Sequence, residues 1–444
     1  MGRRVVVLGG GFGGLQAAIE LERLLPKEDE VLLVSDQNFL LFTPLLPQIA
    51  SSNINPRHIV QTIRDIRGVR RFRFRRDTVQ SIDLAARRVA LVSGIVEYDV
   101  LIVALGSRSH YFGIDGAREN TWDFKTLEDA VVLRDHLLDM CEHADHTVEE
   151  AARRAMLTFV VVGGGYTGVE VITELSDFLF DYVARRYRGI RAAEIRLLLL
   201  EATPEILRGI SEGLKGHALH RLKSRGIEVR TSAKVTRCGE ESVEINGGET
   251  VRSATIVWSA GVWANALVES LPGPHDRAGR AVVNSSLQLE GHPEVFVIGD
   301  SAAAATSASS SASPPGAPQV APVAMAHGEV AARNAAHLLK GEPMEAYSYT
   351  NKGMLVSLGM DYAVVSIGRL QFSGYFAWLF WNAVHLYKLV GLKKQLEVAI
   401  DWMMGTVFPR DAAILRQPRR CKICEGAAAR AVGAAGGKSD MQGR

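Results

Sequence analysis

Two glycine clusters in the chain share one pattern. Val5-Val6-Val7-Leu8-Gly9-Gly10-Gly11-Phe12-Gly13-Gly14 recurs as Phe159-Val160-Val161-Val162-Gly163-Gly164-Gly165-Tyr166-Thr167-Gly168. Gly9, Gly11 and Gly14, like Gly163, Gly165 and Gly168, have the G-x-G-x-x-G spacing. The first glycine permits a tight turn, the second lets backbone approach a pyrophosphate, and the third lets a helix pack closely on a strand. The phosphates then meet free N–H groups at the positive end of a helix. One such match is weak, but two in strand and helix context are specific.

Acids follow at the places a ribose needs them. Asp36 lies 22 residues after Gly14, and Glu201 ends Leu197-Leu198-Leu199-Leu200, 33 residues after Gly168. The longer second spacing is assigned to an extended helix through 178–186. A carboxylate there accepts hydrogen bonds from the 2′ and 3′ hydroxyls and repels a 2′-phosphate, so the second site is expected to take NAD rather than NADP. The plainer reading is a solvated acid at a strand end. Two dinucleotide sites in one chain point to a flavin and its hydride donor. Glu170, two residues after Gly168, would then lie near the nicotinamide, unless it is only a first-turn acid favoured by the helix dipole.

The elements that must position these groups are βαβ units. Helices are expected over 15–25 and 169–186, each followed by another apolar strand run, which gives buried parallel sheets. Further strands are expected at Val100-Leu101-Ile102-Val103, Thr255-Ile256-Val257-Trp258 and Val295-Phe296-Val297-Ile298, each ending in a turn of small residues. Residues 301–318 read as a flexible loop and 425–444 as a disordered tail. Lys+Arg 51 against Asp+Glu 49 leaves a net charge of +2, which argues against nucleic acid as a partner. Four cysteines are too few for a disulfide scaffold, a reducing compartment is expected, and no signal peptide is read at the start.

A mean hydropathy of +0.06 is slightly apolar for a soluble enzyme. The segment 372–392 carries one formal charge, Lys388, and is long enough to suggest a membrane span. However, Phe372, Tyr375, Phe376, Leu379, Ala383, Leu386, Tyr387 and Val390 share one helical face, so this helix is expected to lie on a surface. Leu392, Leu396, Ile400, Met403 and Val407 form a second stripe against Lys393, Glu397 and Asp401. Trp378, Trp381 and Trp402 suit the headgroup level. The pair reads as a monotopic membrane foot, the alternative being packing on the body or in a homodimer. The seven arginines within 64–76 alternate in part with phenylalanine, Phe inward and Arg outward, with anionic lipid the sharper alternative. Cys421 and Cys424 are half a zinc pattern without a second pair, so no metal is expected.

The residues resemble the type II NADH:quinone dehydrogenases over about residues 3–410. Leu41-Phe42-Thr43-Pro44-Leu45-Leu46 is similar to that family's stretch beside the isoalloxazine. Residues 98–107, through Gly106, are similar to its A-T-G element, with Leu105 in place of Thr. Val257-Trp258-Ser259-Ala260-Gly261-Val262 matches its W-A-A-G-V, and Gly299-Asp300 its G-D motif. The resemblance implies an α/β fold of two Rossmann-like, glutathione-reductase-like domains with a C-terminal amphipathic membrane anchor. It divides the chain into an FAD domain (1–115 and 283–345), an NADH domain (116–282), a membrane-associating region (346–410) and a tail (411–444). It implies FAD held by Gly9, Gly11, Gly14, Asp36, Thr43, Gly106, Asp300 and the helix starting near Ala321, and NADH held by Gly163, Gly165, Gly168, Glu201 and Gly261. Glu170 becomes the acid near nicotinamide and acceptor. The implied reaction is non-proton-pumping electron transfer from NADH through FAD to a membrane quinone, at the cytoplasmic side of the cell membrane. One departure bears on the acceptor: Pro322 and Ala326 stand where the family has glutamines lining its quinone pocket. Two alternatives stay open, an NADH oxidoreductase with a soluble acceptor and a redox-sensing flavoprotein with incidental turnover.

Overall fold

Val5, Val6, Val7 and Leu8 are all fully buried, as are Leu197 to Leu200. Runs this apolar can pair only inside a sheet covered on both faces. The computed structural model describes residues 2–66, 72–304, 318–348 and 353–414. Most of the loop expected at 301–318, the tail at 425–444, and Cys421 and Cys424 lie outside the described residues. The chain forms two compact units, residues 1–41, 60–108 and 262–351, and residues 42–59, 109–261 and 352–444.

In the first unit an eight-stranded sheet has a parallel core ordered His292–Val297, Val100–Val103, Arg4–Leu8, Glu30–Ser35, Arg73–Arg76. The first strand lies between the second and Val100–Val103, so strand order reverses there, which is where open α/β sheets bind ligands. The helix Phe12–Leu24 packs on the helix Ala321–Lys340 through small residues. A Cβ on Gly328 would lie 2.4 Å from the Gly13 carbonyl oxygen, and one on Gly13 would lie 2.9 Å from that of Ala324. Among the described arginines of the cluster, Arg73 pairs with Glu30 and Arg75 with Asp77, and Arg76 donates to the Asp36 carbonyl.

In the second unit a five-stranded parallel sheet runs Trp122–Asp123, Thr255–Trp258, Thr158–Val162, Arg196–Leu200, Ile227–Arg230. The helix Tyr166–Phe178 continues through a π-turn, Leu179–Val183, into Ala184–Arg186, and this extension accounts for much of the long spacing to Glu201. An antiparallel sheet of Met354–Ser357, Ala363–Ile367 and Leu370–Gly374 leads into helices Tyr375–Lys388 and Leu392–Val407.

Three expectations are corrected in detail. Both glycine-motif helices begin three residues early, at Phe12 and Tyr166, with Gly11 and Gly165 as extended N-caps. Their first turns, Phe12-Gly13-Gly14 and Tyr166-Thr167-Gly168, carry no apolar period. Phe372 belongs to a strand, because Gly374, at φ +96°, breaks the chain before the helix starts.

Candidate dinucleotide sites and a buried acid row

The two glycine turns have the same geometry, each within its own unit. Gly9 and Gly163 sit at φ +106° and +110°, conformations that favour glycine. Their N–H groups donate to the carbonyls of Val34 and Leu200, both at 2.7 Å, which ties each turn to the neighbouring strand. The third glycines are closed by backbone: a Cβ on Gly14 would lie 2.0 Å from the Gly9 oxygen, and one on Gly168 1.9 Å from that of Gly163. The second glycines are open, since a Cβ on Gly11 or Gly165 would meet nothing within 4 Å. Each thus presents a bare helix N-terminus beside empty space, which fits a diphosphate.

Around the first turn, Asp36 is exposed and its carboxylate has no hydrogen-bond partner among the described residues. Asp300 accepts a hydrogen bond from the Ser107 hydroxyl at 2.6 Å, and its carbonyl accepts from the Gln319 amide just before the helix that starts at Ala321. Gly106, at φ +70°, has open space where a Cβ would be. Thr43, exposed in a 3-10 turn, belongs to the second unit.

Around the second turn, three donors converge on Glu201. Gly164 N–H donates to one carboxylate oxygen at 2.7 Å, and Thr203 N–H and hydroxyl donate to the other at 2.8 and 2.7 Å. Its side chain is thereby fixed at the strand end. Gly261 lies under the Phe112 ring, and its carbonyl accepts from His110 N–H at 3.0 Å.

Glu170, Glu174 and Asp177 occupy positions i, i+4 and i+7 of one helix and so share a face. Glu170, partly exposed, accepts from Ser357 N–H at 3.0 Å; burial among protein atoms pushes its carboxyl up to about 8. Glu174 accepts from the Ser51 hydroxyl at 2.6 Å, and burial raises it against the opposing charge of Arg410. Asp177 accepts from Met360 N–H at 2.5 Å and pairs with Arg225 at 2.7 Å, yet burial still pushes it up to about 7. Sequence reasoning found Glu170 alone. Acids spaced 4 and 3 apart inside an apolar helix were the signal for the other two.

Comparison with known proteins follows the same outline. Residues 3–328 match the family description pyridine nucleotide-disulphide oxidoreductase, and 351–411 match the NDH2 C-terminal domain. Type II NADH:quinone oxidoreductase NdhA of Mycobacterium tuberculosis is 36% identical over 90% of this chain and 86% of its own length. The chain belongs to the type II NADH:quinone oxidoreductases. A Staphylococcus epidermidis type II NADH:quinone oxidoreductase is 30% identical over 81% of this chain and 88% of its own. The structure of NDH2 from Plasmodium falciparum in complex with NADH superposes with a TM-score of 0.84 at 18% identity, covering 93% of this chain and all of that one.

The NDH2 C-terminal domain contains the helices Tyr375–Lys388 and Leu392–Val407. No described helix is long and apolar enough to cross a membrane. Leu392, Leu396, Ile400, Met403 and Val407 are all exposed, as are Tyr375, Phe376, Leu379 and Tyr387. The opposite side of the last helix is fastened within its own unit. Asp401 accepts from Asn55 N–H at 3.0 Å and contacts His58, and Lys394 donates to the Arg57 carbonyl. In this type II oxidoreductase Cys141 and Cys238 are buried and free, and burial raises both thiols.

Proposed function

We propose that the chain passes two electrons from NADH through FAD to a membrane quinone without pumping protons, as a peripheral protein at the cytoplasmic side of the cell membrane. One observation supports it most: two glycine turns with closed outer glycines and open central ones, in a chain of this family. Gly9, Gly11, Gly14, Asp36, Thr43, Gly106, Asp300 and the helix from Ala321 would hold FAD, which when bound supplies the two-electron carrier between donor and acceptor. Gly163, Gly165, Gly168, Glu201 and Gly261 hold NADH, the Glu201 oxygens accepting from ribose hydroxyls with the lone pairs its three donors leave free. In this reading residues 1–115 and 283–345 form the FAD domain, 116–282 the NADH domain, and 346–410 the region that meets the membrane surface.

The overall reaction, NADH + H⁺ + quinone → NAD⁺ + quinol, takes up one proton. Glu170 is neutral at pH 7 because burial has raised it, so its carboxyl can give that proton. Glu174 and Asp177, one and two turns along the same face, can return it. The test is anaerobic: NADH should bleach the bound flavin, and a soluble quinone analogue mixed in afterwards should restore its colour within turnover time. Colourless, flavin-free protein refutes the FAD assignment, and flavin that NADH bleaches but no quinone restores refutes the acceptor. That last outcome favours a soluble acceptor, a reading suggested by Pro322 and Ala326.

A further inference from the structure

Gln48 is an amide with one end tied and the other free. It lies in the short helix Pro47–Ala50 and is 4% exposed. Its Oε1 accepts from the Trp402 indole N–H at 2.7 Å and from the Asn53 amide at 3.3 Å. An indole nitrogen can only donate, so Trp402 fixes which end of the amide is oxygen. The Gln48 carbonyl is occupied as well, by Asn53 N–H and Ile54 N–H. Nε2 has no hydrogen-bond partner among the described residues, and it is not one of the sealed polar atoms. Its N–H donors are therefore unused and not fully sealed from solvent.

The surroundings of this amide suggest what that molecule is. The Gln48 helix packs against the helix of Glu170, Glu174 and Asp177. One turn beyond Gln48, Ser51 bonds Glu174 directly. On its other side, Trp402 belongs to the helix whose outer face is Leu392, Leu396, Ile400 and Met403. Through Trp402 and Ser51 the Gln48 helix touches both the exposed apolar helix and the acid row, and a quinone carbonyl is an acceptor without a proton of its own.

We propose that Gln48 donates a hydrogen bond from Nε2 to a carbonyl oxygen of the quinone, with Trp402 as the residue that orients it; this rests on the quinone-reductase reading above. Gln48→Glu keeps an oxygen for Trp402 and removes the donor once its carboxyl is ionised, so KM is followed as pH rises. Measured on the flavin-loaded enzyme, it should raise KM for a soluble quinone analogue about tenfold, the equivalent of about 1.4 kcal/mol. It should leave flavin bleaching by NADH and turnover with ferricyanide, which needs no such donor, unchanged. Quenching of tryptophan fluorescence by the same quinone, in the oxidised enzyme, should show a matching loss of affinity. Trp402→Phe should raise KM by a smaller factor, with the amide free to turn. If Gln48 only anchors Trp402, Gln48→Glu leaves quinone KM and binding unchanged while Trp402→Phe alters them, and the proposal is overturned. An equal loss with ferricyanide also overturns it. A wild-type enzyme that reduces ferricyanide but no quinone refutes the underlying function instead.

Discussion

Gly11 and Gly14 are three residues apart, and alanine at each should produce different failures. At Gly11 the backbone is extended, φ −74° and ψ −172°, and an added Cβ meets nothing within 4 Å. Alanine there lowers the entropy of the unfolded chain, worth about 0.4–1 kcal/mol of stability. It is also a poorer N-cap than glycine, which costs about 0.5 kcal/mol or more. The flavin-free Gly11→Ala protein should therefore melt within about 0.5 kcal/mol of the flavin-free wild type. The methyl group does occupy the space through which a diphosphate reaches the helix N–H groups. Losing one charge-assisted bond of about 1.5–3 kcal/mol weakens FAD binding about 10- to 150-fold. At Gly14 the added Cβ lies 2.0 Å from the Gly9 oxygen, so backbone must move. That variant should lose at least about 1–3 kcal/mol before any ligand is considered. Thermal melts of the flavin-free proteins and fluorescence titration with FAD separate the two. Gly11→Ala with wild-type FAD affinity, or with the stability loss of Gly14→Ala, would refute the argument that the central glycine faces the ligand and the third faces the strand.

Glu201→Gln cannot satisfy Gly164 on one side and Thr203 on the other, because all three converging groups are donors and one amide end is also a donor. KM for NADH should rise about tenfold or more, with FAD content unchanged; unaltered KM would refute the ribose assignment. A carboxyl raised to about 8 holds its proton below that pH and loses it above. Quinone-dependent turnover should accordingly fall as pH passes about 8, while flavin bleaching by NADH does not, and Glu170→Gln should abolish that step; a step that persists in the variant assigns it elsewhere. Replacing Ile400 and Met403 by Asp should release the protein from sedimenting lipid vesicles and leave ferricyanide turnover intact, and unchanged sedimentation would remove these helices from the membrane contact.

The parts of the site that were legible in the sequence are those built from short runs. Each glycine turn, its strand and its acid fall within one βαβ unit, and local order fixes their geometry. The 33-residue spacing to Glu201 was read correctly as a longer helix, now seen as a π-turn and one further turn. What escaped was non-local or lacked period. Ser51, Ser357 and Met360 reach the acid row from separate segments, and no spacing near 174 announces them. Phe372 was assigned to a helix because aromatic residues satisfy a helical stripe and a strand equally well. The turn at Gly368, φ +58°, and the alternation in Leu370-Gln371-Phe372-Ser373 pointed to the hairpin.

The amphipathicity of the last helix is legible in the sequence, and its exposed apolar stripe agrees with the surface helix expected there, whereas Trp402, expected at the headgroup level, turns inward. In a helix covering a water-soluble core the apolar stripe turns inward. Here Asp401, Lys394 and Trp402 turn inward, each bonded to the segment between Gln48 and His58, and Ile400, Met403 and Val407 turn outward. Asp401 accepts from a backbone N–H and contacts a histidine, and Trp402 gives its only hydrogen to Gln48, so the inward polar groups have partners. Rotating the helix to bury its apolar stripe would break all of these bonds together. The outward face is thus a consequence of how the polar face is held, and an exposed apolar stripe of this kind marks a surface for a membrane or a protein partner. The lipid contact proposed above would cover the whole stripe and bring a lipid-soluble acceptor to the helix that carries Trp402.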